Sequence, residues 1–182
     1  MSTKRPTPRA ASAPHDLKRA DKKSPPVAQP LPEPFASWFG ARGWTPRPHQ
    51  LALLAASQRR QSTLLIAPTG AGKTLAGFLP SLVRLSEPGK RTRKGAGLRT
   101  LYVSPLKALA CDVARNLEQP IAEMGLKIRT QTRSADTTPA RRQHQRKHPP
   151  DILLTTPEQV ALLLSHPDAP FLFADLDTVI LD

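Results

Sequence analysis

Residues Ala67-Pro-Thr-Gly-Ala-Gly-Lys-Thr74 combine glycine, lysine and threonine in a spacing suited to holding phosphate groups. Gly70 and Gly72 can take positive φ, which turns successive N–H groups inward as an anion nest. Lys73 supplies a point charge for β and γ phosphates, and the Thr74 hydroxyl can ligate Mg2+. A helix opening here would aim the positive end of its dipole at the same phosphates. The full pattern is Gly-x-x-x-x-Gly-Lys-[Ser/Thr]; Ala67 stands where the first glycine belongs, so only the second half is matched. Pro68, Thr69 and Ala71 complete the loop. Upstream, Gln50 can offer an adenine edge both an acceptor and a donor. Arg47, one helical turn away, could stack on the base or brace a phosphate. Without a ligand both read as ordinary polar surface. Trp44 or Phe39 could cover the base, or join Phe35 and Trp38 in a core.

The elements that would position these residues alternate between strand and helix. Ser62-Thr-Leu-Leu-Ile-Ala67 is an apolar run ending at the glycine-rich turn, which predicts a buried strand. Lys73 to Leu85 has helical spacing of Leu75, Phe78, Leu79, Leu82 and Leu85 despite Pro80. Thr100–Ser104 reads as a second strand, and Leu106–Met124 as a helix bent or capped near Pro120. Lys127–Thr132 reads as a third strand, Asp151–Thr155 as a fourth, Glu158–Leu164 as a helix and Leu176–Leu181 as a fifth strand. Such alternation predicts an α/β fold with a parallel sheet covered by helices on both faces.

The 182 residues carry a formal charge of +13 and a pI near 10.9, which favours polyanionic partners. A single cysteine excludes a disulfide scaffold and a cysteine metal cage. Cys111 reads as an inert core residue and His166 as part of a loop. No apolar run reaches the roughly 18 residues of a membrane span. Residues 1–34 hold eight prolines and seven basic residues, too polar a mixture to offset ordering entropy. They read as a disordered tail, either a weak nucleic-acid anchor or an inert leader, with the folded part from 35 to 182. Glu87–Gly97 reads as a glycine-rich basic loop and Arg141–His148 as a basic helix or loop, each either solvated surface or phosphate contacts.

Four segments in order carry a resemblance: Ala67–Thr74, Ser104-Pro-Leu-Lys-Ala-Leu109, Thr155-Thr-Pro-Glu158 and Val179-Ile-Leu-Asp182. They resemble motifs I, Ia, Ib and the start of II of superfamily 2 helicases, and Arg47-Pro-His-Gln50 is similar to the adenine-reading motif of that superfamily. Together with Trp38-Phe39, Gly43-Trp-Thr-Pro46 and Pro149–Pro157, the chain is most similar to the bacterial ligase-associated DEXH-box helicases, relatives of the large helicase-related proteins. The resemblance implies a RecA-like P-loop domain that binds ATP and Mg2+, with Lys73 and Thr74 on the phosphates and Asp182 on the metal. It implies that Ser104, Pro105, Leu106 and Lys107, with Thr155, Thr156, Pro157 and Glu158, touch the backbone of single-stranded or partly duplex DNA. Each group lies where a strand gives way to a helix, which offers donors to phosphate; Ser104 and Thr156 read equally as helix caps. Lys107 in a first helical turn opposes the dipole, which favours a phosphate partner. Arg133-Ser-Ala-Asp-Thr137 resembles a Thr-Arg-Thr-Gly-Asp-Thr segment with Ala135 in place of glycine, and Asp136 and Thr137 could instead cap the following helix.

The resemblance further implies a DNA repair role in the bacterial cytoplasm, near the nucleoid, with a DNA ligase and a nuclease as partners. It also implies that the chain stops at the start of motif II. A family strand that would lie between the Ser62–Ala67 strand and the Asp182 strand is then missing, leaving unpaired backbone and exposed apolar surface. Hydrolysis by residues 1–182 alone is expected to be negligible. Two rival readings are an RNA helicase of the same superfamily and a non-enzymatic nucleic-acid-binding fragment. A small P-loop kinase fits poorly, since nothing resembles a phosphoacceptor site.

Overall fold

The computed structural model describes residues 30–68, 70–87 and 97–182. Most of the proline-rich tail, Thr69 and residues 88–96 of the basic loop lie outside the described residues. The elements run α1 (Phe35–Ala41), α2 (Pro48–Gln58), α3 (Lys73–Ser86), β1 (Thr100–Val103), α4 (Lys107–Glu123), β2 (Thr130–Arg133), α5 (Pro139–Lys147), β3 (Ile152–Thr155), α6 (Pro157–Leu164), α7 (Ala169–Leu172) and β4 (Thr178–Leu181). Four parallel strands lie in the order β2-β3-β1-β4, with Tyr102 level with both Leu154 and Ile180. This is the RecA-like α/β arrangement expected from the alternating pattern.

Successive residues of each strand point to opposite faces, and the core divides accordingly. Tyr102, Ile152 and Leu154 face Phe78, Leu79 and Leu82 of α3 and Val113 and Leu117 of α4. Leu101 and Leu153 face Leu98, Leu163 and Leu172 on the other side. A sheet buried on both faces explains why β3 is apolar at Ile152, Leu153 and Leu154. The larger core reaches back to Leu31 and takes in Phe35, Trp38 and Phe39. Trp38 Nε1 donates to Glu123 Oε2 at 2.7 Å, which fixes α1 to the end of α4 and, with Gln119 and Arg42, lowers the Glu123 pKa. Trp44 is half-exposed and meets Trp38 edge-on at 5.6 Å.

The Ser62–Ala67 reading needs correction. The segment is not paired into the sheet, and Leu64 and Ile66 are 83% and 86% exposed. A strand is defined by its neighbours, and among the described residues β4, the edge strand nearest in the expected order, pairs on one side only, with β1. Val179 and Leu181 are exposed on that strand as well. The expected unpaired backbone and uncovered apolar surface are therefore present at this end of the sheet. Two smaller corrections follow, and one open alternative closes. Cys111 is half-buried rather than core. The cap of α5 is Thr138, whose hydroxyl accepts from Arg141 N, while Thr137 closes a turn on Ser134 and Asp136 pairs with Lys107. The basic stretch from Arg141 is helical through Lys147.

Two stability outcomes follow. Leu154→Ala, which empties a fully buried position between β1 and β2, should cost about 2–5 kcal/mol in urea unfolding. Replacing Leu64 and Ile66 together by lysine should reduce self-association in light scattering without lowering the thermal midpoint; a fall of several degrees would show that the segment is packed in solution.

Candidate nucleotide and nucleic-acid site

Gly70 and Gly72 sit at φ +77° and +72°, the left-handed region that bends the chain into the turn. Gly72 is the N-cap of α3, so the turn leads directly into a helix N-terminus. Lys73 Nζ donates to Ala67 O at 2.9 Å, which folds the ammonium back over the loop. Thr74 follows in the first turn of α3. A Cβ on Gly77, one turn further, would meet Ile180 of β4 at 3.8 Å. Thr74 precedes Gly77 by one helical turn and Asp182 follows Ile180 by two residues, so both lie on facing surfaces.

The Arg47–Gln50 segment is held against this loop. Gln50, the third residue of α2, is 3% exposed and its Oε1 accepts from Arg47 N at 2.9 Å. A Cβ on Gly72 would stand 3.3 Å from Gln50 Nε2, so the amide packs on the phosphate loop itself. His49 Nε2 lies 3.0 Å from Ala71 O, a contact within donor range. Sequence reasoning missed His49; its position beside Gln50 was the only signal. Gln50 is thus drawn to the loop, while Arg47 caps α2 through its backbone.

The turns after β1, β2 and β3 gather at one end of the sheet. Ser104 and Thr155 are both fully buried, with Ser104 N donating to Thr155 O at 3.0 Å and Thr155 Oγ1 donating to Arg133 O at 2.9 Å. Their side chains build the turns from within. Pro105, Leu106, Lys107, Pro157 and Glu158 are the exposed members, and Thr156 is the N-cap of α6. The Thr156 hydroxyl is the first of the hydrogen bonds that lower the Glu158 pKa. Lys107 forms an ion pair with Asp136 across the site. That pairing explains a lysine at a helix start without a ligand and leaves it exchangeable for a phosphate.

Further arginines reinforce this end. Arg142 clamps the turn after β2 through the carbonyls of Ser134, Ala135 and Thr137. Arg133 is buried, and desolvation, then Arg142 and Arg146, lower its pKa to about 10. At the end of β4, Asp182 Oδ2 accepts from the Tyr102 phenol at 2.7 Å. Burial first, then the Asp182 carboxylate, push the Tyr102 pKa upward.

No helix among the described residues is long and apolar enough to cross a membrane. The DEAD/DEAH box helicase family model matches residues 47–182. The chain is 43% identical over 138 residues to the Lhr helicase/probable uracil glycosylase of Mycolicibacterium smegmatis, covering 70% of the chain and 9% of that protein. It is 35% identical over 162 residues to the ATP-dependent helicase Lhr-Core of Methanocaldococcus jannaschii, covering 84% of the chain and 19% of that protein. Among solved structures, Mycobacterium smegmatis helicase Lhr bound to ssDNA and AMP-PNP matches with a TM-score of 0.72 at 39% identity, over 81% of this chain and 19% of that one. The DUF1998 helicase MrfA bound to DNA and AMPPNP matches with a TM-score of 0.71 at 32% identity, over 86% and 21%. The chain spans about a fifth or less of these relatives. With a glycine turn opening α3 and an aspartate ending β4 at the same sheet edge, the chain belongs to the DEAD/DEAH box helicases.

Proposed function

We propose that these residues bind ATP within an ATP-dependent DNA helicase or translocase. The observation that carries this reading is the turn from Gly70 to Thr74, with two positive-φ glycines, a folded-back Lys73 and a helix N-terminus in succession. A triphosphate entering the turn would take over the Lys73 ammonium from the Ala67 carbonyl and accept from the loop N–H groups. Gln50 and Arg47 stand beside the loop, where an adenine would extend from the phosphates.

The donor set also fits Mg2+. A hydroxyl on Thr74 and a carboxylate on Asp182 are hard oxygen ligands, and Mg2+ is usually held by one or two carboxylates plus phosphate oxygens and water. Among the described residues no group of three or more His, Cys, Asp or Glu forms a cage, so an ion arriving with the nucleotide suits this site better than a resident one. When bound, it would offset charge on the phosphates. Lys73, Thr74 and Asp182 would hold the reacting groups in place.

The exposed Leu106, Lys107, Pro157 and Glu158, with the N–H groups of their helix starts, form the surface on which a nucleic-acid backbone would lie. The DNA in the solved relatives supports DNA as the substrate class. Nucleotide-dependent changes in affinity for the strand would then drive its movement, in concert with parts of the motor beyond these residues. A repair setting with a DNA ligase and a nuclease, in the cytoplasm near the nucleoid, rests on the ligase-associated resemblance.

Three outcomes test the reading in the full-length protein. Lys73→Ala should weaken binding of a fluorescent ATP analogue by roughly 10- to 100-fold, the loss of a charge-assisted contact. Gly72→Ala should weaken it as well, because the left-handed φ costs about 1–2 kcal/mol for a residue with a Cβ and Gln50 would be displaced. ATPase turnover should rise more with single-stranded DNA than with the same sequence as RNA; the reverse order would favour the RNA helicase. DNA retention that ignores ATP and survives Lys73→Ala would replace the motor reading with simple binding.

A further inference from the structure

A buried phenol reaches the carboxylate at the end of β4. The Tyr102 hydroxyl donates to Asp182 Oδ2 at 2.7 Å. Tyr102 is 1% exposed whereas Asp182 is exposed, so the phenol meets the carboxylate from the protein interior.

The backbone keeps this pair in register. Asp182 N donates to Val103 O at 3.1 Å, which extends the β1–β4 pairing to the aspartate itself. The Tyr102 ring lies against Phe78 of α3 at 5.5 Å between centroids. One tyrosine therefore touches the helix that opens with Lys73 and Thr74 and the residue that follows β4.

We propose that Tyr102 is a positioning residue that orients the Asp182 carboxylate for a divalent cation. The proposal deepens the reading of the site as one for a metal–nucleotide complex and rests on it. With Oδ2 held by the phenol, the second oxygen is left for the ligand shell of the ion. Hydrogen bonds of this outer kind typically change metal affinity by roughly 10- to 100-fold.

The test uses Mn2+ as the probe, read by electron paramagnetic resonance in the full-length protein with a non-hydrolysable ATP analogue. Tyr102→Phe keeps the ring on Phe78 and removes only the hydroxyl. It should weaken Mn2+ binding by roughly tenfold or more, while analogue binding in EDTA and the thermal midpoint stay at parental values. Mn2+ affinity in Tyr102→Phe within about twofold of the parent, against the range expected for such contacts, overturns the proposal and leaves the nucleotide site standing. A parent protein that binds no Mn2+ with the analogue overturns the metal–nucleotide reading and the role of Tyr102 with it.

Discussion

Parallel pairing governs the arrangement of this chain. Because β1, β2, β3 and β4 run in one direction, each strand-to-helix turn must open at the same edge of the sheet. The turn after β1 begins α4, the turn after β2 begins α5, and the turn after β3 begins α6. Unsatisfied N–H groups at helix starts therefore collect along one rim, with Asp182 at the end of β4 beside them. A polyanion meets helix N-termini there.

The core and the site depend on the same few contacts. α3 lies beside Ile180 of β4 at Gly77, and Phe78 meets Tyr102 of β1, so the helix that carries Lys73 and Thr74 is seated on the strand that leads to Asp182. Arg84 continues this from the other end of α3, with an ion pair to Asp177 just before β4 and a 2.8 Å bond to Ser57 of α2. Gln50 and His49 at the start of α2 then brace the phosphate loop from the outside. In contrast, Leu64 and Ile66 lead into the loop without sheet pairing, so its entry is held less firmly than its exit.

What could be read from the sequence was set by how local the determining interactions are. The Gly70–Thr74 turn, α3, α4 and β3 depend on near neighbours, and their residues announce them. The Ser62–Ala67 run carries the composition of a strand, yet pairing is a property of two segments, and composition alone says nothing of whether a partner lies alongside. Lys107 was legible as an oddity at a helix start, but its ion pair with Asp136 joins residues distant in sequence. Thr137 and Thr138 are adjacent and chemically alike, so the choice of cap rested on backbone angles that the sequence does not display. Ser104 and Thr155 looked like donors to a ligand because of where they fall. Both are buried, and their backbone and hydroxyl bonds hold the turns, while Tyr102, read only as a strand residue, donates to Asp182.

The account stands or falls on whether the backbone of the Gly70–Thr74 turn receives phosphate. Amide resonances in a nitrogen–proton correlation spectrum, followed as ATP is added, read this at single residues. The account predicts large, saturable shifts for the amides of Gly70, Gly72, Lys73 and Thr74, with smaller ones at His49 and Gln50. Saturating ATP that leaves those amides in place, or shifts only the basic surface of α5, would contradict it.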